Sequence, residues 1–212
     1  MSGGVLSGDV RAAYDAVAAD YAAHVGGELA GKPVDLSLLD ALAGRAAPGV
    51  VGDLGAGPGH VAAHLATRGV PVLAVDLSAA MLAAGRAGVP AAAGDLRRLP
   101  LRDGCLAAAV AFYSLIHLAP GEEVTALTEV RRVLAPGGEL LAAVHVGDEV
   151  RHLDEWWGHR VSVDFRFFGV GELVEAARAA GLRVIEVIER DPYEEVEVAT
   201  RRAYLRAVRP GG

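Results

Sequence analysis

The sequence predicts an α/β fold: a mostly parallel seven-stranded sheet in a three-layer sandwich, with helices on both faces and an antiparallel strand at its C-terminal end. Three observations carry this. Short β-rich apolar runs alternate with longer alanine- and leucine-rich stretches, as a parallel sheet with crossover helices requires. The passage VVGDLGAGPGH, Val50 to His60, reads as strand, glycine-rich turn and helix start. The 212 residues form one domain, 1–212, long enough for a sizeable core and without a visible repeat or interdomain linker.

The elements follow in order. Val10–Val25 and then Leu36–Ala43 read as an N-terminal helical region, a cover over about residues 10–45. Strands are expected at Val50–Leu54, Val72–Asp76, Pro90–Ala93, Ala107–Tyr113 and Glu139–His145. Helices are expected near His60–Thr67, Ala79–Arg86 and Glu122–Leu134, the last halted by Ala135-Pro136-Gly137-Gly138. Val146–Gly169 holds both tryptophans and three of the four phenylalanines, yet shows no clean period, which predicts an inserted irregular loop or lid. Helix Val170–Ala180 then leads into a strand at Leu182–Arg190, and the alternation of Ala199–Val208 supplies the last one.

Composition narrows the function. No apolar run reaches the ~18 residues of a membrane span. The N-terminal MSGGVLSGDV lacks a basic segment followed by an apolar core, so no signal peptide is expected and a cytoplasmic location is the default. Cys105 is the single cysteine, which excludes an internal disulfide or a cysteine-rich metal site. A formal net charge of −7 argues against a nucleic-acid duplex as partner, because phosphate neutralisation needs a basic face. Lys32 is the only lysine beside many arginines, and alanine is in excess, a bias of GC-rich bacterial genomes. A small-molecule enzyme working as a monomer or homodimer is the expectation.

The glycine spacing separates two cofactors. A dinucleotide fingerprint needs G-x-G-x-x-G, but counting from Gly55 gives Gly57 and then His60. Read as D-x-G-x-G-x-G from Asp53, the run resembles motif I of class I S-adenosylmethionine (SAM) methyltransferases. VLAVDLSAAML, AAAGDLRRLPL, AAAVAFYSLIHL and RRVLAPGGELLAAVH follow in order and resemble the later motifs of the small class I enzymes, similar to those of quinone biosynthesis and many natural-product pathways. The likeness runs from about Val10 to Pro210. It implies a Rossmann-like fold, SAM as cofactor and S-adenosylhomocysteine as product, with methyl transfer to an O or N atom of a small molecule, in bacterial secondary metabolism. Two alternatives stay open: an NAD(P)-dependent oxidoreductase, although no tyrosine stands four before Lys32, and a SAM-binding module without methyl transfer.

The resemblance also implies site residues. Asp53, at the end of the first strand, would hold the amino-acid end of SAM, with Gly55, Ala56 and Gly57 clearing the backbone beside it; a turn serving only strand–helix packing is the alternative. Asp76 would accept the ribose hydroxyls, or cap the next helix, a role Ser78 can also fill. Leu77 and Met81 would flank the adenine, with core packing the competing role for Met81. Asp95 would accept from the adenine amine and Leu96 would face the ring edge, unless Asp95 is a solvated turn acid. Tyr113 and Ser114 would lie along the cofactor. His117 is the candidate general base, or it positions the cofactor. His145 ends the fifth strand as a second catalytic candidate near the acceptor. Tyr14 and Tyr21, seven apart on one helical face, would cover the cofactor or pack on the core. Trp156, Trp157, Phe165, Phe167 and Phe168, in the inserted segment of about residues 146–169, would wall an apolar acceptor pocket, with plain core packing the competing account. No metal site is expected: the spacing of His152, His159 and the acids around them matches no compact motif.

Overall fold

The computed structural model describes residues 7–85 and 88–211. Seven strands form one sheet in the order β3-β2-β1-β4-β5-β9-β8. They are β1 (Val51–Leu54), β2 (Val72–Asp76), β3 (Ala91–Ala93), β4 (Leu106–Phe112), β5 (Leu134–His145), β8 (Arg183–Arg190) and β9 (Arg202–Val208). All pairings among the first five are parallel, whereas β9 runs antiparallel to both β5 and β8. The expected sheet, including its antiparallel last strand, is therefore present. The fifth strand begins at Leu134 rather than Glu139, the Pro136-Gly137-Gly138 break falling inside it.

The helices are α1 (Ser7–Val25), α2 (Pro33–Ala46), α3 (His60–Thr67), α4 (Ala79–Ala84), α5 (Glu122–Val133) and α6 (Val170–Ala179). Pro33 opens α2, where the missing N–H costs nothing. Ser78 caps α4 by accepting from the Met81 N–H at 3.0 Å. Arg86, the expected end of that helix, lies outside the described residues. Apolar residues bury on both faces of the sheet: α5 and α6 pack Leu127, Val130 and Leu173 on one side, while α2 and α3 pack Leu39, Leu42 and Leu65 on the other.

Residues 146–169 are not irregular. They form an antiparallel hairpin of β6 (Val150–Trp156) and β7 (His159–Arg166). Trp156 pairs with His159, so Trp157-Gly158 is a two-residue turn, and both have positive φ (50° and 82°). That is a mirror-type hairpin turn, usually signalled by Asn-Gly rather than Trp-Gly. A register shift between Leu153 and Glu155 places Leu153 and Trp156, three apart, toward the protein, and this breaks the alternation that would mark a strand. The hairpin packs on α1 through Val161, Val163 and Phe165 against Val10, Ala13 and Tyr14.

The chain leaves β1 toward β2 and β3 on one side and returns to β4 and β5 on the other. The strand order thus reverses between β1 and β4, and in open α/β sheets ligands bind in the crevice at such a point.

Candidate active site

A cavity of about 140 Å³ opens at that crevice, lined by the ends of β1, β2 and β4 and by one face of α1. Asp53 reaches it from β1 and Asp76 from β2. Between them, the glycine turn lies against the cavity. Gly55 has φ +77°, and a Cβ added there would fall 2.2 Å from Ser114 Cβ. Only glycine lets these two chain segments approach so closely. Gly57 has φ +55°, and its Cβ would meet Met81 Cε at 3.3 Å and Tyr21, both cavity residues.

Asp76 fastens the turn. Its Oδ2 accepts from the Gly57 N–H at 2.7 Å and its Oδ1 from the Ser78 N–H at 2.8 Å. Each carboxylate oxygen retains a lone pair for a ligand. Burial raises the Asp76 pKa, opposed by these hydrogen bonds. Asp53 is more strongly perturbed: burial, with the Asp76 charge adding to it, pushes its carboxyl up to about 7. Its Oδ2 has no hydrogen-bond partner among the described residues. A buried carboxylate of this kind is stabilised by a cation placed against it.

Past β4 the backbone turns sharply at Tyr113, which has φ +52° without being glycine. Strain of this kind persists where surrounding contacts impose it. Here Tyr113 stacks on His145 (centroids 4.9 Å apart), and its N–H donates to the Ala143 carbonyl at 2.8 Å. The 3-10 turn Leu115–His117 follows. His117 Nδ1 lies 2.9 Å from the Asp164 carbonyl, an acceptor only, so Nδ1 carries the proton. Nε2 then accepts from the Tyr14 hydroxyl at 2.7 Å. Burial drops the His117 pKa to about 4, so the ring is neutral at pH 7.

The expected site residues Tyr14, Tyr21, Asp53, Gly55, Ala56, Gly57, Asp76, Leu77, Met81, Asp95, Leu96, Tyr113, Ser114 and His117 all line this one cavity. Asp95 is held by Arg97, whose Nη2 donates to Oδ2 at 2.6 Å and whose N–H donates to Oδ1 at 2.8 Å; this holds the Asp95 carboxyl below its usual range.

Other expectations are not met. His145 does not reach the cavity; it sits behind Tyr113, its Nδ1 2.9 Å from Thr200 Oγ1. Nor do the five aromatic residues of the hairpin region line it. Trp156 and Phe165 pack edge-on to each other and around Tyr14 and His117, Phe168 is in the core, and Trp157 stacks on His24 at the surface. Trp156 and Phe165 thus back the wall of the cavity instead of forming it. Among the described residues no cluster of three metal-ligating side chains occurs.

Glu28, Lys32, Asp35 and His60 also line the cavity, and no sequence pattern pointed to them. These lie outside the glycine motif or at its margin. Their only signal was the isolation of Lys32, and a buried lysine is rare unless paired. Asp35 accepts from Arg190 Nη2 (2.9 Å) and the Tyr204 hydroxyl (2.7 Å), while Arg190 also grips Glu197 through two nitrogens. Residues 190–197 are therefore not an ordinary turn; they anchor α2 to the sheet.

Residues 51–138 match a family model described as a methyltransferase domain. The chain has the class I SAM-dependent methyltransferase fold. More particularly, it is 41% identical over 108 residues to demethylmenaquinone methyltransferase of Beutenbergia cavernae, a match covering 50% of this chain and 44% of that protein. The chain spans less than half the length of the curated relatives it matches. A Burkholderia thailandensis 1,6-didemethyltoxoflavin-N1-methyltransferase, solved with 1,6-didemethyltoxoflavin and S-adenosylhomocysteine, superposes with a TM-score of 0.74 at 24% identity, covering 96% of this chain and 88% of that one. The [4+2]-cyclase SpnF superposes with a TM-score of 0.73 at 23% identity over 97% of both chains. At these identities the likeness is one of fold.

Proposed function

We propose that the protein binds S-adenosylmethionine in this cavity and directs methyl transfer to an oxygen or nitrogen atom of a small molecule, with S-adenosylhomocysteine as product. One observation carries the reading. Five buried side-chain polar atoms lack a partner among the described residues, and four of them, on Asp53, His60, Tyr113 and Ser114, belong to residues lining this cavity. Unpaired buried polar groups cost about 1–3 kcal/mol each, so their convergence marks a place built for a polar ligand.

Each residue then has a task. Asp53 offers its unpartnered oxygen to an α-ammonium group, and Asp76 offers its remaining lone pairs to ribose hydroxyls. Gly55–Gly57 leave room for the methionine chain, and Leu77, Met81 and Leu96 give an apolar slot for adenine, with Asp95 at its edge. Tyr113 and Ser114 run along the cofactor. The sulfonium of SAM supplies the activated methyl group, so the protein's work is to align donor and acceptor and exclude water. His117 acts through Tyr14: the Tyr14 hydroxyl occupies its free ring nitrogen, so a proton leaving a hydroxyl acceptor passes to Tyr14 oxygen first. A neutral amine acceptor needs no such base.

The acceptor is read as a small molecule because the charge of −7 disfavours nucleic acid, and no described helix is long and apolar enough to cross a membrane. We read the chain as one domain, with residues 10–45 as a helical cover over the cavity and residues 146–169 on the acceptor side, acting in a bacterial cytoplasm as a monomer or homodimer, in secondary metabolism. Calorimetric titration tests the donor: SAM and S-adenosylhomocysteine bind, NADH does not, and Asp76→Ala weakens SAM about tenfold or more. Binding of NADH and not SAM refutes the reading. The likeness to a cyclase favours a second reading, a SAM-fold protein without methyl transfer. Tight SAM binding with no labelled methyl product across phenols, hydroquinones, amines and carboxylic acids would favour it.

A further inference from the structure

The cavity lining holds an arrangement that the glycine motif does not explain. Lys32 caps α2, is 7% exposed, and lines the cavity together with His60 at the start of α3. Between the Lys32 ammonium and the His60 imidazole, whose pKa burial lowers, lies one carboxylate oxygen. Glu28 Oε1 is 2.8 Å from Lys32 Nζ and 4.0 Å from His60 Nε2. Glu28 opens the 3-10 turn Glu28–Gly31, which has no buried residue, and its side chain is 29% exposed. The two halves of the contact thus differ. Lys32 is held in place, with Glu197 at 3.7 Å behind it and the Tyr113 ring 5.9 Å from its ammonium, whereas the Glu28 side chain borders solvent. His60 also has a buried Nδ1 without a partner among the described residues. Asp53 lines the same cavity, so an anion seat and a cation seat face one space, the pairing that a zwitterionic amino-acid group requires.

We propose that Lys32 and His60 form the seat for the donor's carboxylate and that Glu28 is a built-in competitor occupying it, displaced when the donor binds. The inference rests on the SAM reading above. It makes Lys32 a residue that selects for the carboxylate, and Glu28 a residue that limits affinity. Displacement leaves the Lys32 ion pair count unchanged, since one carboxylate replaces another, and exposes Glu28 to water.

The test compares SAM with decarboxylated SAM, which keeps the amine and the sulfonium but lacks the carboxylate, by calorimetric titration of the full chain. Lys32→Met is expected to weaken SAM about tenfold or more while leaving decarboxylated SAM within about twofold. Glu28→Gln is expected to tighten SAM several-fold and to leave decarboxylated SAM unchanged; this variant keeps Lys32 on Glu197 and so guards against a folding defect in the first. Equal losses for both ligands in Lys32→Met, or weaker SAM binding in Glu28→Gln, overturn the proposal. If the wild-type chain binds neither ligand, it is the donor reading itself that falls.

Discussion

Gly55 and Gly57 look interchangeable in the motif, but the structure predicts opposite consequences for replacing them with alanine. At Gly55 the backbone is left-handed (φ +77°), which costs an L residue about 1–2 kcal/mol. The new Cβ would also lie 2.2 Å from Ser114 Cβ, an overlap with a side chain's root that cannot swing away. Forcing such a contact in a packed interior costs about 1–3 kcal/mol. The sum, about 2–5 kcal/mol, corresponds to a melting temperature roughly 5–15 °C lower in a chain of this size. At Gly57 only the backbone term applies in full, because the Cβ would meet the flexible end of Met81 at 3.3 Å. Gly57→Ala should therefore melt only a few degrees low, about 2–6 °C, yet lose affinity because its methyl group enters the cavity. Thermal melts, and titration with S-adenosylhomocysteine, separate the two effects. Ser114→Gly added to Gly55→Ala removes the overlapped atom and should recover part of the loss, leaving about the 1–2 kcal/mol backbone cost. A Gly55→Ala protein melting within about a degree of wild type would refute the close-approach account.

Three further outcomes follow from the same geometry. Asp53 has its pKa raised from 3.8 to about 7, so the folded state holds a proton that the unfolded state releases; without ligand, stability falls as pH rises between those values, and Asp53→Asn flattens that slope in melts across pH 4–8 while abolishing tight SAM binding. Tyr14→Phe keeps the ring packing but removes the donor to His117, and is expected to slow turnover of a hydroxyl acceptor much more than that of an amine acceptor; equal effects on both would reject the relay through Tyr14. Arg190→Met leaves buried Asp35 with Tyr204 alone and should cost about 3–5 kcal/mol in denaturant unfolding.

The sheet and the donor side of the cavity were legible because their chemistry is local. Asp53, Asp76 and Asp95 each end a strand, and a strand end in a parallel sheet has a fixed place relative to the crevice. The rest depends on contacts between distant segments. The 153–155 register shift hid β6 from a period-2 reading, and a Trp-Gly turn gave no conventional hairpin signal. His145 occupies a strand end too, but a stacked Tyr113 lies between it and the cavity, and no local pattern announces that. Glu28 and Lys32 are only four apart, but His60 joins them through the packing of α3 beside the 3-10 turn, a meeting that only the fold brings about.

The way α1 is held has a consequence for motion. Tyr14 bonds to His117 after β4, Asp15 to Ser78 before α4, and Asp20 to His159 on the hairpin. Three ties to three separate elements, spaced along one helix, oppose gradual fraying, since no turn between Tyr14 and Asp20 can lift without breaking a bond elsewhere. Opening of that stretch is then a single sub-global event. Amide hydrogen exchange along it should report one shared protection level.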